Sequence, residues 1–286
     1  MEYKKNILFL QKKKFSPDLL FENDNVLFFY TYIRKNASTS FKKLFKALYS
    51  DACPDDPPLI GCMVAHAQVK GLTPEEIDQQ FATKLFVYRD PIDRVFSTYK
   101  NKLIQQDGAA DLLRSLEKVV GRDPALLTFD EFVNEYVVLL ETDRWEDVDG
   151  HLYPQVWHLL PITYNKVIRM DNVYKEMQEL LPPELCDQVF KEPSNSTTKG
   201  SVPLPCADSD CPAVYFQKKY LQSKALPTLN QLMSPATKQR LLEVYSEDYQ
   251  MIAEIESSTL APMILNHTSF DLQPERALGL DFSIPD

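Results

Sequence analysis

The sequence has 286 residues, of which 44% are hydrophobic, 11% aromatic and 25% charged, and its formal net charge is −10. This length and composition suffice for one substantial core and exclude a fibrous or intrinsically disordered chain. The acidic balance argues against a protein that coats nucleic acid, because phosphate backbones are bound through basic surfaces. We expect a single domain over residues 1–286, with a core at about 25–255 and an irregular tail.

The first predicted unit is a strand, a short loop and a helix, preceded by a peripheral element in residues 1–24. Residues 25–33 form a nearly continuous apolar and aromatic run, which is typical of a buried parallel strand. The loop 34–38 follows, and an amphipathic helix then has its apolar positions at Phe41, Leu44, Phe45 and Leu48. The hydroxyl residues expected to cap this helix are Ser38, Thr39 and Ser40.

A second unit of the same kind begins at Thr73-Pro74, a helix start with proline at the first helical position. The predicted strand 84–88 follows and leads through the turn Arg89-Asp90-Pro91 into another helix. Asp90 is a natural N-cap for that helix. Its apolar positions are Ile92, Val95, Phe96, Tyr99 and Leu103.

The remaining predicted elements are a third strand at 166–170, a helix that Pro182-Pro183 stops, and a long helix from Ser234 to Tyr249. Residues 191–212 are predicted to form a loop. Strands that alternate with helices predict an α/β fold, with a parallel sheet flanked by helices on both faces. We expect this sheet to be of the P-loop-NTPase-like kind.

Both strand–loop–helix units are suited to binding phosphate, since N–H groups and the helix dipole converge where a strand ends and a helix begins. The first supplies Lys35 and the second supplies Arg89, with Ser97 further along the helix. The first loop is not a Walker A loop, because residues 30–40 contain no glycine. Simpler explanations are helix capping, a local Arg89–Asp90 ion pair and an exposed Ser97. Two such turns about 50 residues apart favour a shared anion site.

These segments resemble known motifs. Lys35-Asn36-Ala37-Ser38-Thr39-Ser40-Phe41 resembles the 5′-phosphosulfate loop of Golgi-type carbohydrate sulfotransferases, and its last five residues resemble the heparan sulfate 2-O-sulfotransferases. The stretch 89–103 resembles the 3′-phosphate motif of the chondroitin 4-O and HNK-1 sulfotransferases, and His151-Leu152-Tyr153-Pro154-Gln155 resembles their His-Trp-x-Pro-Gln stretch. Two departures are Arg34, where proline is usual, and the missing cysteine pattern after residue 155.

The resemblance implies an enzyme that uses 3′-phosphoadenosine 5′-phosphosulfate (PAPS) as donor, needs no metal and sulfates a carbohydrate or another hydroxyl-bearing acceptor. It places the 5′-phosphosulfate at Lys35, with the rest of the loop Asn36, Ala37, Ser38, Thr39 and Ser40. It places the 3′-phosphate at Arg89 and Ser97. Lys199 and Gly200 are candidates to close the nucleotide site, although Lys199 is also explained as a solvated loop lysine.

Two histidines are candidates for the catalytic base. His66 lies at a similar distance before Arg-Asp-Pro as the catalytic histidine of the 2-O-sulfotransferases, and a buried structural histidine is its simpler explanation. His151 matches the chondroitin-group histidine. Two alternatives to a sulfotransferase remain. One is a small-molecule kinase, with Asp171 as the available Mg²⁺ ligand, and the other is a non-catalytic glycan- or nucleotide-binding module.

The cysteines and the chain start bear on the compartment. Five cysteines occur without a Cys-x-x-Cys pair, which argues against a zinc ribbon. Free thiols, or a local disulfide between Cys206 and Cys211, are the two alternatives. We find no signal-peptide pattern and no stretch of about 18 apolar residues, so the sequence predicts no membrane span and a cytoplasmic location.

Overall fold

The computed structural model describes residues 18–23, 26–49, 72–192 and 200–257. Its central sheet has the order β1-β2-β3-β4, with β1 Leu19–Asn23, β2 Val26–Thr31, β3 Lys84–Tyr88 and β4 Lys166–Arg169. Strand β3 pairs in parallel with β2 and β4, whereas β1 runs antiparallel to β2. The three predicted strands are confirmed, and the peripheral element contributes the antiparallel edge strand.

Helices connect and cover these strands. The α-helices of the described ranges are α1 Ser38–Leu48, α2 Pro74–Gln80, α3 Pro91–Tyr99, α4 Ala110–Val120, α5 Phe129–Glu131, α6 Val173–Met177, α7 Pro183–Phe190, α8 Ala213–Ser223, α9 Leu229–Leu232, α10 Pro235–Val244 and α11 Ser246–Ser257. Shorter 3₁₀ segments are Pro124–Leu126, Val137–Glu141, Trp145–Asp147, Gln155–His158 and Met170–Asn172, and π-helical segments are Lys100–Ile104 and Phe132–Tyr136. Within the predicted loop 191–212, β5 Val202–Pro203 pairs with β6 Ala225–Leu226.

Both faces of the sheet are buried. Successive side chains of a strand point to opposite sides, so each strand contributes to a core on either face. Tyr30 and Val87 pack in one core cluster with α1, α6 and α7. Phe29 and Phe86 pack in another with α2 and α11. Two buried faces explain the continuous apolar run of β2. The predicted α/β architecture with helices on both faces is confirmed, with an antiparallel edge strand in addition.

The helix predicted through Leu103 is α-helical only to Tyr99. Tyr99 packs against Phe129 and Phe132, with ring centroids 5.2 and 5.5 Å away. The chain then continues as the π-helix Lys100–Ile104. The wider turn changes which side chains face inward, and Lys100, Asn101 and Lys102 are all buried. This segment supplies polar groups to the edge of the sheet where the two predicted phosphate loops lie.

The single helix predicted from Ser234 to Tyr249 is wrong, because the structure breaks it in two. Tyr245 has φ −107° and ψ 25° and separates α10 from α11. Its buried hydroxyl donates to the carbonyl of Leu152 at 2.6 Å, a contact that no local pattern reveals. After the break, Asp248 in the first turn of α11 is fully buried.

Two further sequence expectations concern the membrane and the thiols. None of the helices in the described ranges combines the length and apolar character needed to cross a bilayer. Cys186, Cys206 and Cys211 are free thiols, which matches the free-thiol alternative. Cys53 and Cys62 lie outside the described residues.

Candidate active site

Two loops lie side by side at the carboxyl edge of the sheet. Residues 34–37 follow β2, and residues 89–90 follow β3. These strands are parallel neighbours, with Thr31 opposite Phe86. Lys35 and Arg89 therefore emerge at one edge, the position where open α/β sheets bind ligands.

The first loop turns without a glycine. Lys35 and Ala37 adopt left-handed backbone conformations, with φ 69° and 54°. Such a conformation costs a non-glycine residue about 1–2 kcal/mol. Hydrogen bonds of Asn36, within the same loop, offset this cost. Its buried Nδ2 donates to the carbonyl of Val87 at 2.8 Å and to Oε1 of Gln155 at 2.6 Å. The side chain of Asn36 thus holds the loop, while Lys35 is only half-buried.

The start of α1 differs from expectation. Ala37 is the N-cap residue, and no side chain caps the helix. The prediction that Ser38, Thr39 and Ser40 act as caps is therefore wrong, and these residues form the first turn itself. The first N–H groups of a helix have no acceptor within it and carry the positive end of the helix dipole. The hydroxyl residues accordingly lie beside N–H groups suited to an anion.

Lys35 meets the π-helix. Its ammonium donates to Oδ1 of Asn101 at 2.5 Å, and Nδ2 of Asn101 donates to Oδ2 of Asp107 at 3.1 Å. Burial lowers the pKa of Lys35 to about 7, and the charges of Lys102 and Arg89 act in the same direction. A lysine whose pKa is lowered by burial and by nearby cations lies in a poorly solvated, positively charged region. An anion bound among them would relieve their mutual repulsion.

The second loop begins α3. Asp90 caps the helix as predicted, since its Oδ1 accepts from the N–H of Asp93 at 2.9 Å. Its Oδ2 accepts from the hydroxyl of Tyr249 at 3.2 Å. Ser97, two turns beyond Arg89, is buried, so its alternative explanation as an exposed serine is wrong. Arg89 keeps its charge at any physiological pH, although burial lowers its pKa.

Gln155 joins the two loops and was missed as a site residue. Its Oε1 accepts from Nδ2 of Asn36 at 2.6 Å and from the N–H of Arg89 at 3.0 Å. Its Nε2 donates to the carbonyl of Arg89 at 2.9 Å and to Oδ2 of Asp248 at 3.2 Å. The signal available in the sequence was the Tyr-Pro-Gln stretch, which the resemblance included without a role for Gln155.

His151 forms a dyad with Asp149. Oδ1 of Asp149 lies 2.6 Å from Nδ1 of His151 and 3.7 Å from Nη1 of Arg34. Burial opposes ionisation of Asp149, but the hydrogen bonds from His151 and the charge of Arg34 lower its pKa to about 2. An ionised carboxylate can only accept, so Nδ1 carries the imidazole proton and Nε2 is left with a lone pair. Asp149 is a second residue that the sequence did not single out.

The environment of His151 keeps it neutral. Burial lowers the pKa of His151 to about 4, and the positive charges of Arg34 and Lys102 also lower it. The hydrogen bond and charge of Asp149 act in the opposite direction. Lys102 also lowers the pKa of Lys35, and only burial has a larger effect on that pKa. The histidine dyad and Lys35 thus both lie within the electrostatic reach of Lys102. A neutral imidazole beside this group of cations has a lone pair on Nε2 that can accept a proton.

Not every predicted residue can be placed. His66 and Lys199 lie outside the described residues, and their roles stay predictions. Gly200 opens the last described range with φ 72°, a left-handed conformation that glycine adopts without strain. The structure brings together Lys35, Arg89 and the His151 dyad at one edge of the sheet.

Comparison with known proteins gives one match. The sulfotransferase family model matches residues 17–252, which is most of the chain. No curated protein and no solved structure matches the sequence.

Proposed function

This chain belongs to the sulfotransferase family, and on that premise we propose that it transfers a sulfuryl group from PAPS to a hydroxyl group of a carbohydrate. The observation that carries the proposal is the placement of Lys35 and Arg89 on neighbouring strand ends, with interacting charges. PAPS has a 5′-phosphosulfate and a 3′-phosphate, and these two anionic ends match two cation sites. The donor lies along the carboxyl edge of the sheet, as nucleotides do in P-loop-NTPase-like folds.

The residues divide between the two ends of the donor. Lys35, Thr39 and Ser40 bind the 5′-phosphosulfate together with the first-turn N–H groups of α1. Arg89 and Ser97 bind the 3′-phosphate through a guanidinium fork and a hydroxyl. Asn36 supports the first loop through its buried carboxamide.

The chemical step is an in-line displacement at sulfur. The bond between sulfur and the bridging oxygen of the phosphosulfate breaks as a bond forms between sulfur and the acceptor oxygen. Negative charge develops on the oxygen that leaves with 3′,5′-ADP, and Lys35 stabilises it. The acceptor hydroxyl gives its proton to Nε2 of His151, which Asp149 orients through Nδ1. His66 is the competing candidate for this base.

The net charge of the chain bears on the class of acceptor. A net charge of −10 disfavours a long polyanionic glycan. A neutral or lightly charged sugar, a glycolipid or a small alcohol is more compatible with this negative net charge.

Affinity for 3′,5′-ADP is expected to fall about five- to tenfold per pH unit above pH 7. The protonated form of Lys35 binds phosphate, and its pKa of about 7 makes the neutral form dominant as the pH rises. A bound phosphate raises that pKa, so binding takes up a proton when free Lys35 is neutral. Calorimetry near pH 8 in buffers of different ionisation enthalpy measures this uptake. A pH-independent affinity, or uptake that persists in Lys35→Met, would contradict the assignment.

A panel of glycan and alcohol acceptors with radiolabelled PAPS tests the proposed function. We expect labelled product on at least one acceptor, and binding of 3′,5′-ADP in preference to ATP with Mg²⁺. Tighter binding of ATP with Mg²⁺ would favour the kinase alternative, for which Asp171 lies after β4 but pairs with Arg169 at 3.1 Å on the surface. Binding of 3′,5′-ADP with no transfer to any acceptor would favour the non-catalytic module.

A further inference from the structure

The carboxamide of Gln155 hydrogen-bonds to both the Lys35 loop and the Arg89 loop. It is fully buried at the start of the 3₁₀ segment Gln155–His158. It contacts Asn36 beneath the first loop and both the N–H and the carbonyl of Arg89 in the second. It follows His151 by four residues, so it also lies close to the segment that carries the dyad.

The orientation of this carboxamide is fixed by its partners. The N–H of Arg89 can only donate and the carbonyl of Arg89 can only accept, which distinguishes Oε1 from Nε2 of Gln155. Nδ2 of Asn36 is fixed as a donor in the same way, because it also donates to the carbonyl of Val87. The carboxamide therefore uses both donors and both acceptor lone pairs. No other side chain of the same length satisfies this set.

Asp248 holds Gln155 in place. Its Oδ2 accepts from the backbone N–H and from Nε2 of Gln155, at 2.9 and 3.2 Å, and its Oδ1 accepts from the N–H of Val156 at 3.0 Å. The residues on either side of Asp248 add contacts: Glu247 accepts from Trp157 at 3.2 Å, and Tyr249 donates to Asp90. The first turn of α11 is thereby bonded to the 3₁₀ segment and to the second loop.

We propose that Gln155, oriented by Asp248, is a positioning residue that fixes the separation of the Lys35 and Arg89 loops and so couples the binding of the donor's two phosphate ends. This inference rests on the proposed function. Two contacts act as one bidentate site only while their spacing matches the ligand. A network of buried hydrogen bonds is a rigid means of keeping that spacing, since each broken bond would leave a buried polar group unpaired.

The test compares three nucleotides on wild type and Gln155→Met, which keeps side-chain length and removes every hydrogen bond. Affinities for adenosine 5′-phosphate, adenosine 3′-phosphate and 3′,5′-ADP are measured by calorimetry. In the variant, 3′,5′-ADP should lose about tenfold or more in affinity, while each monophosphate changes by less than about threefold. A residue that only supports folding would lower the melting temperature without changing the ratio between the diphosphate and the monophosphates.

Two further variants keep the test decisive. Asp248→Asn, which retains the side-chain shape, should lower the same ratio if Gln155→Met does not fold. Asn165→Ala is the matched control, because Asn165 bridges Lys84 and Ala82 at the opposite end of β3 and should leave the ratio unchanged. An unchanged ratio in both Gln155→Met and Asp248→Asn, or a parallel loss for all three nucleotides, overturns the inference. A wild type that binds 3′,5′-ADP no better than a monophosphate overturns the proposed function instead.

Discussion

Lys35→Ala is expected to abolish sulfuryl transfer, with a loss in kcat of about 10³-fold, the upper range for removing one group that stabilises developing charge. Lys35 is placed by a strained loop and bonded to Asn101, and burial and the charges of Lys102 and Arg89 lower its pKa. Its charge acts on the oxygen that leaves, so the loss should appear mainly in kcat. Single-turnover transfer with labelled PAPS measures it.

The matched control for this change is Lys43→Ala. Lys43 lies on α1, as close in sequence as any exposed lysine, and its side chain faces solvent. Turnover should stay within about twofold of wild type, since an isolated surface charge contributes little. Lys35→Ala that keeps more than about one tenth of wild-type kcat would contradict the role of Lys35.

His151→Ala is expected to lower kcat by about 10²–10⁴-fold, the usual contribution of a positioned base. The affinity for 3′,5′-ADP should change little, because the proposed role of the dyad is to take the acceptor's proton and no donor phosphate is assigned to it. Asp149→Asn should lower kcat in a similar way, since an amide can donate to Nδ1 and so favour the tautomer with its proton on Nε2. Steady-state kinetics together with nucleotide calorimetry separates the two effects.

The pH profile adds a second readout for His151. Its lowered pKa of about 4 means that the base is deprotonated at neutral pH and gains its proton only well below it. The acid limb of kcat/KM should therefore lie near pH 4 and disappear in His151→Ala. An acid limb near pH 6.5, the ordinary value for histidine, would contradict this environment.

His66→Ala must be measured beside these variants, because the resemblance to the 2-O-sulfotransferases also makes His66 a base. If His66 has that role, its removal lowers the rate strongly and leaves donor affinity nearly intact. Normal turnover in His66→Ala removes it from the role, and normal turnover in His151→Ala removes the dyad.

Local patterns in the sequence predicted the elements that carry the two loops. Strand 84–88 and the start of α3 at Asp90-Pro91 were predicted correctly because a buried apolar run, an N-cap and a proline are local signals. Ala37 as the N-cap of α1 was not predicted, because the loop follows the buried Asn36 rather than hydroxyl capping.

Contacts between distant residues explain most of what the sequence did not reveal. Gln155 meets Asn36 and Asp248 across 119 and 93 residues, so no periodicity marks the contact. The break at Tyr245 likewise depends on Leu152. The π-helix after Tyr99 keeps the apolar spacing of an α-helix closely enough to be read as one.

The most direct test of this account is a crystal structure of the protein with 3′,5′-ADP. We expect the nucleotide along the carboxyl edge of β2 and β3, with its 5′-phosphate bonded to Lys35 and its 3′-phosphate bonded to Arg89. A nucleotide bound elsewhere, or one whose phosphates reach only one of these two side chains, would contradict the shared donor site on which the proposed reaction depends.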